Sequence, residues 1–563
     1  MDLQAQATQN VTERLSSKTY TVQTAVKDQA GITRELADGK EVSEVYPLGE
    51  ASLFDEFFYF LQEFEILQLF PGLDPKLSER PTNINFQAVI LIYLMRIVAG
   101  LRFYWHIEPL ILKSQALMRL VGFNGVQVLY GTSRRGLKKP DDTQKAQDDT
   151  ASDNANIRGP ICADSVAAWI QAITAYALER FFNKIISILA THSFFPKSIH
   201  ATLDSSEIQS TERCEGGGMV KKEKGPELRL RKGRIKKVME RVFGFKIWVV
   251  WEPTTSLPLA MRFAKINVAD IKMAQEVVLQ AVANLGDHAT LVSLAFDRGF
   301  IDGKFMWWLH NVMKIIFYVP ARTDMAVYRD ALDCADLGVL QTRQKTRSEG
   351  AGKNKTQVVD RWEVRGITGL TSAGFYGEKG SGSHENASSF APNPINAVVV
   401  VHSPFVENNP GCDTMVIMTN DAVDKPLRPY DRYDKRSDME NGLFREAKQA
   451  WFIQRPARAT ERAFRAHVYL TIITMALTTA FRTWLDQQSK KELAGEDTGI
   501  RRYRRQILQE NANKLIVFNG GRYAILEAYE LVILCGRAVA MPRGIPGTIT
   551  IADILRKYEV AQE

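Results

Sequence analysis

Between Ser198 and Pro320 the hydrophobic pattern changes period, and this change limits the possible folds more than any other feature of the chain. "SIHATLDSS" reads as a strand ending on Asp204, "FGFKIWVVWEPTTSLPLAMRFAKIN" as a hairpin turning at Pro253 to Ser256, and "DIKMAQEVVLQAVANLG" as a helix. A strand ("LVSLAF"), a helix ("DGKFMWWLHNVM") and another strand ("KIIFYVP") complete the series. Strands and helices in this order predict a mixed α/β sheet covered by helices. Asp204 and Asp297 both end predicted strands, and in open α/β sheets ligands bind at that edge. An Asp at such a place can also simply open a turn or cap the following helix. Asp302 is expected to be such a cap, and Gly299 to allow the sharp turn after Asp297.

The regions on either side read differently. Residues 1–45 lack periodicity and read as a flexible tail. Residues 46–195 form a helical N-terminal domain, with a polar linker or surface loop near 131–160. Beyond the first part of the α/β core (198–320), residues 321–414 are rich in Gly, Ser, Lys and Asn, with β-like pieces at "TQVVDRWEVRGI" and "INAVVVVHS". They read as a β-rich insertion. Residues 415–485 return to the core with a strand ("DTMVIMTN") and one long helical region from about Leu427, and residues 486–563 read as a C-terminal helical region. The apolar run Val468 to Phe481 is too short to span a bilayer and reads as a buried helix, with His467 packed or hydrogen-bonded inside it. Trp307 and Trp308 are expected to pack against the core or sheet. No signal peptide opens the chain, so export is not expected.

Charge adds a direction. Lys and Arg number 72 against 64 Asp and Glu in 563 residues, a formal +8 that permits a polyanionic partner. From Lys221 to Arg241 ten bases meet three acids, which fits either a solvated basic loop or helix face or a phosphate-contacting segment. Arg229, Arg231, Lys232, Arg234, Lys236 and Lys237 are its candidate DNA contacts. The five scattered cysteines, with no C-x-x-C pair, suggest reduced thiols of a cytosolic protein.

On the predicted long helix Tyr433, Arg436 and Glu440 are spaced by three and four and share one face. Arg436 and Glu440 could be no more than a surface ion pair. Together with "LDSS" around Asp204 and "DRGF" around Asp297, however, "YDKRSDMENGLFREAK" resembles the signature regions of the cut-and-paste DDE transposases of bacterial insertion sequences. The resemblance implies an RNase H-like mixed-sheet catalytic core with a β-rich insertion, flanked by helical N- and C-terminal regions. The 143 positions from Asp297 to Glu440 (440 − 297) leave room for that insertion. The signature of this branch is Tyr, two residues, Arg, three residues, Glu, six residues, Lys. Here seven residues separate Glu440 from Lys448, and one extra residue turns a helical side chain by about 100°.

The resemblance further implies a function. Asp204 would bridge two Mg²⁺ ions, replaceable by Mn²⁺, with Asp297 and Glu440 each holding one. Tyr433, Arg436 and Lys448 would contact DNA. Hard oxygen ligands suit such cations, and paired metals stabilise both the attacking and the leaving oxygen of a phosphodiester. The implied partners are double-stranded transposon ends and target DNA, met by a homodimer in the bacterial cytoplasm or on the nucleoid, with no membrane. Two alternatives stay open: a catalytically silent, DNA-binding descendant, and a metal-dependent nuclease sharing the core.

Overall fold

The computed structural model describes residues 24–76, 84–130, 160–231, 234–349, 356–373, 394–405, 413–492, 513–537 and 549–559. They divide between two compact units, one of Met1–Phe181 with Ala450–Glu563 and the other of Phe182–Gln449.

The first unit is built on apolar helices. Helix Phe86–Val98 is buried almost all round, as a helix without a polar face must be. The 32-residue helix Glu461–Glu492 packs against it and sets Phe481 on Phe57 and Phe60, each at 5.6 Å. By length and composition this helix could cross a membrane, so the apolar run is longer than its sequence pattern predicts. Yet 61% of its most apolar window lies inside the protein, the burial of a core helix. His467 is packed and hydrogen-bonded, as expected. Its Nε2 donates to the Phe452 carbonyl at 3.1 Å, which leaves Nδ1 to accept from the Tyr93 hydroxyl at 3.0 Å.

A small sheet in the same unit departs from the sequence reading. Strands β1 (Val26–Lys27), β2 (Glu44–Pro47), β13 (Lys514–Asn519) and β14 (Arg522–Glu527) join in the order β1-β14-β13-β2. Residues 24–47 are therefore not a loose tail, and the C-terminal region is not wholly helical. These strands are short and pair across most of the chain, Val45 with Val517 for example, so no local pattern announces them.

The second unit carries the large sheet. Its strands are β3 (Ser198–Ser210), β4 (Gly218–Arg231), β5 (Arg234–Glu252), β6 (Leu257–Lys265), β7 (Thr290–Phe296), β8 (Ile316–Pro320), β9 (Val339–Glu349), β10 (Thr356–Leu370), β11 (Ile395–Phe405) and β12 (Asp413–Thr419). The order is β4-β5-β3-β7-β8-β12-β11-β10-β9, with β6 also on β5. β6, β5 and β3 run antiparallel, whereas β3, β7 and β8 are parallel. Helix Ile271–Leu285 covers β5 and β6, over the fully buried Trp248. The β-rich insertion is not a separate layer. Its strands extend the same sheet, because β12 pairs with β8 from Ile417↔Pro320 onwards.

Two further corrections bear on function. β3 does not end at Asp204 but continues to Ser210, held extended by β5 from Thr202↔Trp251 to Ser210↔Phe243. The basic segment is neither loop nor helix; it is a two-stranded ribbon of β4 and β5, in register at Arg229↔Lys236 and Arg231↔Arg234. Lys232, at its tip, lies outside the described residues. The ribbon begins at Gly244, whose φ of +148° and close approach to the Ile208 carbonyl exclude a side chain.

Candidate active site

The parallel ladder of β3 and β7 ends at Leu203↔Phe296, so Asp204 and Asp297 are the next residues of neighbouring strands. Asp297 stands before a short 3₁₀ turn without capping it by side chain. Asp302 does cap its helix, accepting from the Phe305 N–H at 2.8 Å. The two aspartates thus do different jobs. Gly299 is not in the left-handed region. Its missing side chain leaves space for Asp270, since a Cβ there would lie 3.0 Å from Asp270 Oδ2.

The predicted single long helix is two helical segments. The first runs through Leu427–Asp434, Arg436–Asp438, a π-helical turn at Met439–Phe444 and Arg445–Gln449. The second begins only at Glu461. The first is fixed to β3 where the Thr202 hydroxyl meets Met439 Sδ at 3.3 Å. From it Arg436 Nη1 donates to Asp204 Oδ2 at 2.9 Å and to Glu440 Oε1 at 3.0 Å. The ion pair predicted on the helix is present, but one nitrogen shares it with a strand residue 232 positions away. Tyr433, buried in the core, sets its ring 5.9 Å from the Arg436 guanidinium.

Burial pushes the Asp204 carboxyl up to about 6, Arg436 opposing while Glu440 and Asp297 add to the rise. For Arg436 burial works against its charge, yet Tyr433, Asp204, Asp297 and Glu440 together hold it above the usual guanidinium value. Burial raises the Tyr433 hydroxyl as well. Glu440 is exposed and Asp204 is buried. Among the described residues no three His, Cys, Asp or Glu side chains are gathered closely enough to hold a metal ion, for Arg436 stands between Asp204 and Glu440.

Asp270, the residue before helix Ile271–Leu285, is missed by sequence reasoning. Its side chain makes no capping bond. Oδ1 instead accepts from Ser205 Oγ at 2.6 Å and Lys246 Nζ at 3.0 Å, tying the residue beside Asp204 to β5. Trp362 stacks on His402 at 4.7 Å and packs against the cluster that contains Tyr430 and Tyr433; Trp308 stacks on Phe305 at 6.0 Å.

Residues 198–477 match the family model described as "Transposase DDE domain". The chain belongs to the DDE transposases. No curated protein sequence matches it. The strand order β6-β5-β3-β7-β8, three antiparallel strands followed by two parallel ones, is the RNase H-like core implied by the resemblance. In this transposase the matched domain takes in Asp204, Asp297, Tyr433, Arg436, Glu440 and Lys448.

Proposed function

We propose that this transposase binds the ends of its transposon as a homodimer, cleaves the DNA strands there and joins them to target DNA. Asp204, Asp297 and Glu440 are its catalytic carboxylates. One observation supports this assignment: Asp204 and Asp297 stand side by side at the end of a parallel ladder, and a single arginine nitrogen joins Asp204 to Glu440. When ionised, three carboxylates against one guanidinium sum to −2, the charge that a divalent cation neutralises, and all three donors are hard oxygens. Asp204, Asp297 and Glu440 are the residues that would hold Mg²⁺ or Mn²⁺. Bound metal supplies activation of the attacking water or strand-end hydroxyl and stabilises the leaving oxygen.

The rest is the protein's own work. Tyr433 and the helix fix the Arg436 plane, and its buried Nε has no hydrogen-bond partner among the described residues. A planar guanidinium suits a phosphate beside the cut. Asp270, through Ser205 and Lys246, holds the strand ends in place. The setting is the bacterial cytoplasm and nucleoid.

The test uses the full chain with Mg²⁺ and a plasmid bearing the DNA that flanks the gene on both sides. Cleavage at inverted repeats, followed by joining, is the expected result. Binding without any cleavage would establish the silent descendant instead, and cutting indifferent to the repeats would establish the nuclease.

A further inference from the structure

Helix Leu427–Asp434 leads directly into Arg436 and Glu440, so whatever fixes its position also places that pair. Its apolar side is seated on the sheet. Tyr430 and Tyr433 share a buried cluster with Val364 of β10, and Leu427 and Trp362 pack against the same cluster. Apolar contact is non-directional, so it sets the depth of the helix better than its position along its own axis. A slip of one residue along that axis moves a side chain by about 1.5 Å and turns it by about 100°.

Directional bonds along the axis come from β9, the edge strand at the insertion end of the sheet. The helix begins after Pro426, which gives it no side-chain cap, and the N–H of Leu427 donates instead to Gln341 Oε1 at 3.1 Å. Two residues further along β9, Arg343 forks onto Asp431, Nη1 donating to Oδ1 at 2.6 Å and Nη2 to Oδ2 at 2.7 Å. The spacings match. Two residues of a strand span about 6.8 Å, and the four residues from Leu427 to Asp431 rise about 6 Å, so two side chains on one face of β9 meet successive turns of helix. In register, Gln341 lies opposite Val364 and Arg343 opposite Trp362, the β10 residues of the apolar seat. Arg343 and Asp431 are both partly exposed, where a lone ion pair contributes little. A fork with a second bond one turn away fixes geometry as well as charge.

We propose that β9 is a latch on this helix, with Gln341 and Arg343 as positioning residues that hold Arg436 and Glu440 in line with Asp204 and Asp297. The proposal rests on the transposase reading in treating Glu440 as catalytic, and the experiment separates the two. Hydrogen exchange of the full chain, read by mass spectrometry without DNA or metal, reports the latch. Single-turnover cleavage at saturating transposon-end DNA reports its consequence. Arg343→Ala should speed exchange of the Leu427–Asp434 amides roughly fivefold and lower the cleavage rate on the order of ten- to a hundredfold, with end binding unchanged. Gln341→Ala should do the same more weakly. Arg343→Lys, a point charge without the fork, should retain only part of the wild-type behaviour. Swapping the pair, Arg343→Asp with Asp431→Arg, should bring exchange and cleavage back towards wild type. Unchanged exchange in Arg343→Ala would remove the latch. Faster exchange with wild-type cleavage would overturn the positioning role, and end binding that falls in step with cleavage would make Arg343 a DNA contact instead. A wild-type chain that cuts no DNA would overturn the transposase reading, while the exchange data would still decide the latch.

Discussion

Two arginines, Arg96 buried in the first unit and Arg436 partly buried in the second, sit in polar clusters that differ in charge. Around Arg96 every partner is neutral: the Tyr93 hydroxyl at 3.0 Å, the Arg455 carbonyl at 2.6 Å, and the faces of Tyr93 and Tyr104. His467 is part of this cluster, and burial, with Arg96 adding, pushes its pKa down to about 3, so it stays uncharged. Around Arg436 three carboxylates compete for one cation, and burial lifts Asp204 instead of Arg436 neutralising it. Each guanidinium keeps a buried Nε with no hydrogen-bond partner among the described residues, so the two differ in the charge around them and not in hydrogen bonding. Carboxylates in surplus over cations make the Arg436 cluster a candidate for a cationic ligand. The difference between the clusters can be broken experimentally at several strengths.

The largest expected effect is on catalysis. Asp204→Asn, Asp297→Asn or Glu440→Gln should each lower strand cleavage on the order of a hundred- to a thousandfold or more, since each removes a charge aimed at the reacting phosphate. Binding of transposon-end DNA should stay within a few-fold of wild type in a gel-shift assay. Binding that falls in step with cleavage would put these carboxylates in the same class as the Arg96 cluster.

Next comes stability against pH. The Asp204 carboxyl titrates near 6 in the folded protein and near 3.8 when unfolded, so its protonated form favours the fold. That contribution is present in full below the unfolded value and is lost as pH rises through 6. Asn does not titrate there. Asp204→Asn should therefore gain stability relative to wild type between pH 4 and 7, with a ceiling of about 3 kcal/mol from the width of that gap. Denaturant melts at the two pH values would measure the gain, and a flat difference would show that burial does not strain this carboxylate.

His467→Ala should show the reverse profile. Removing the ring leaves Tyr93 and the Phe452 carbonyl without their partner and opens a cavity, a loss of about 2 kcal/mol in stability. Cleavage per folded molecule should not change. A fall in the catalytic rate at full occupancy of the folded state would erase the distinction between the two clusters.

These clusters are not equally legible in the sequence. Period and turn signals reveal the strand, hairpin, helix, strand, helix, strand series of the core, since each element there is long and strongly patterned. His467 is readable as packed because it lies in a continuous apolar run. Asp204 is readable as a site residue through the company it keeps, but not its place in β3, because β3 continues only by pairing with β5. Asp270 is invisible, since its partners Ser205 and Lys246 are 65 and 24 positions away and no periodicity links them. The π-turn is likewise hidden, for its only sequence trace is the single extra residue before Lys448.

The smallest effect concerns how a carboxylate site short of positive charge tolerates DNA at all. Three carboxylates facing a phosphodiester repel it unless cations flank the path, a need that the Arg96 cluster, with no carboxylate among the partners named above, does not have. The β4–β5 ribbon leads off from the strands beside Asp204, and its backbone register sets Arg229 opposite Lys236 and Arg231 opposite Arg234. A two-stranded ribbon is also a shape that a major groove admits. Replacing Arg229, Arg231, Arg234 and Lys236 by Gln should lower the slope of log affinity against log salt by about 0.9 for each phosphate no longer neutralised. Affinity should fall for specific and arbitrary duplexes alike, because cations on the phosphates position DNA without reading its sequence. An unchanged slope would leave the ribbon a solvated basic face, and the countercharge would then have to come from elsewhere along the DNA path.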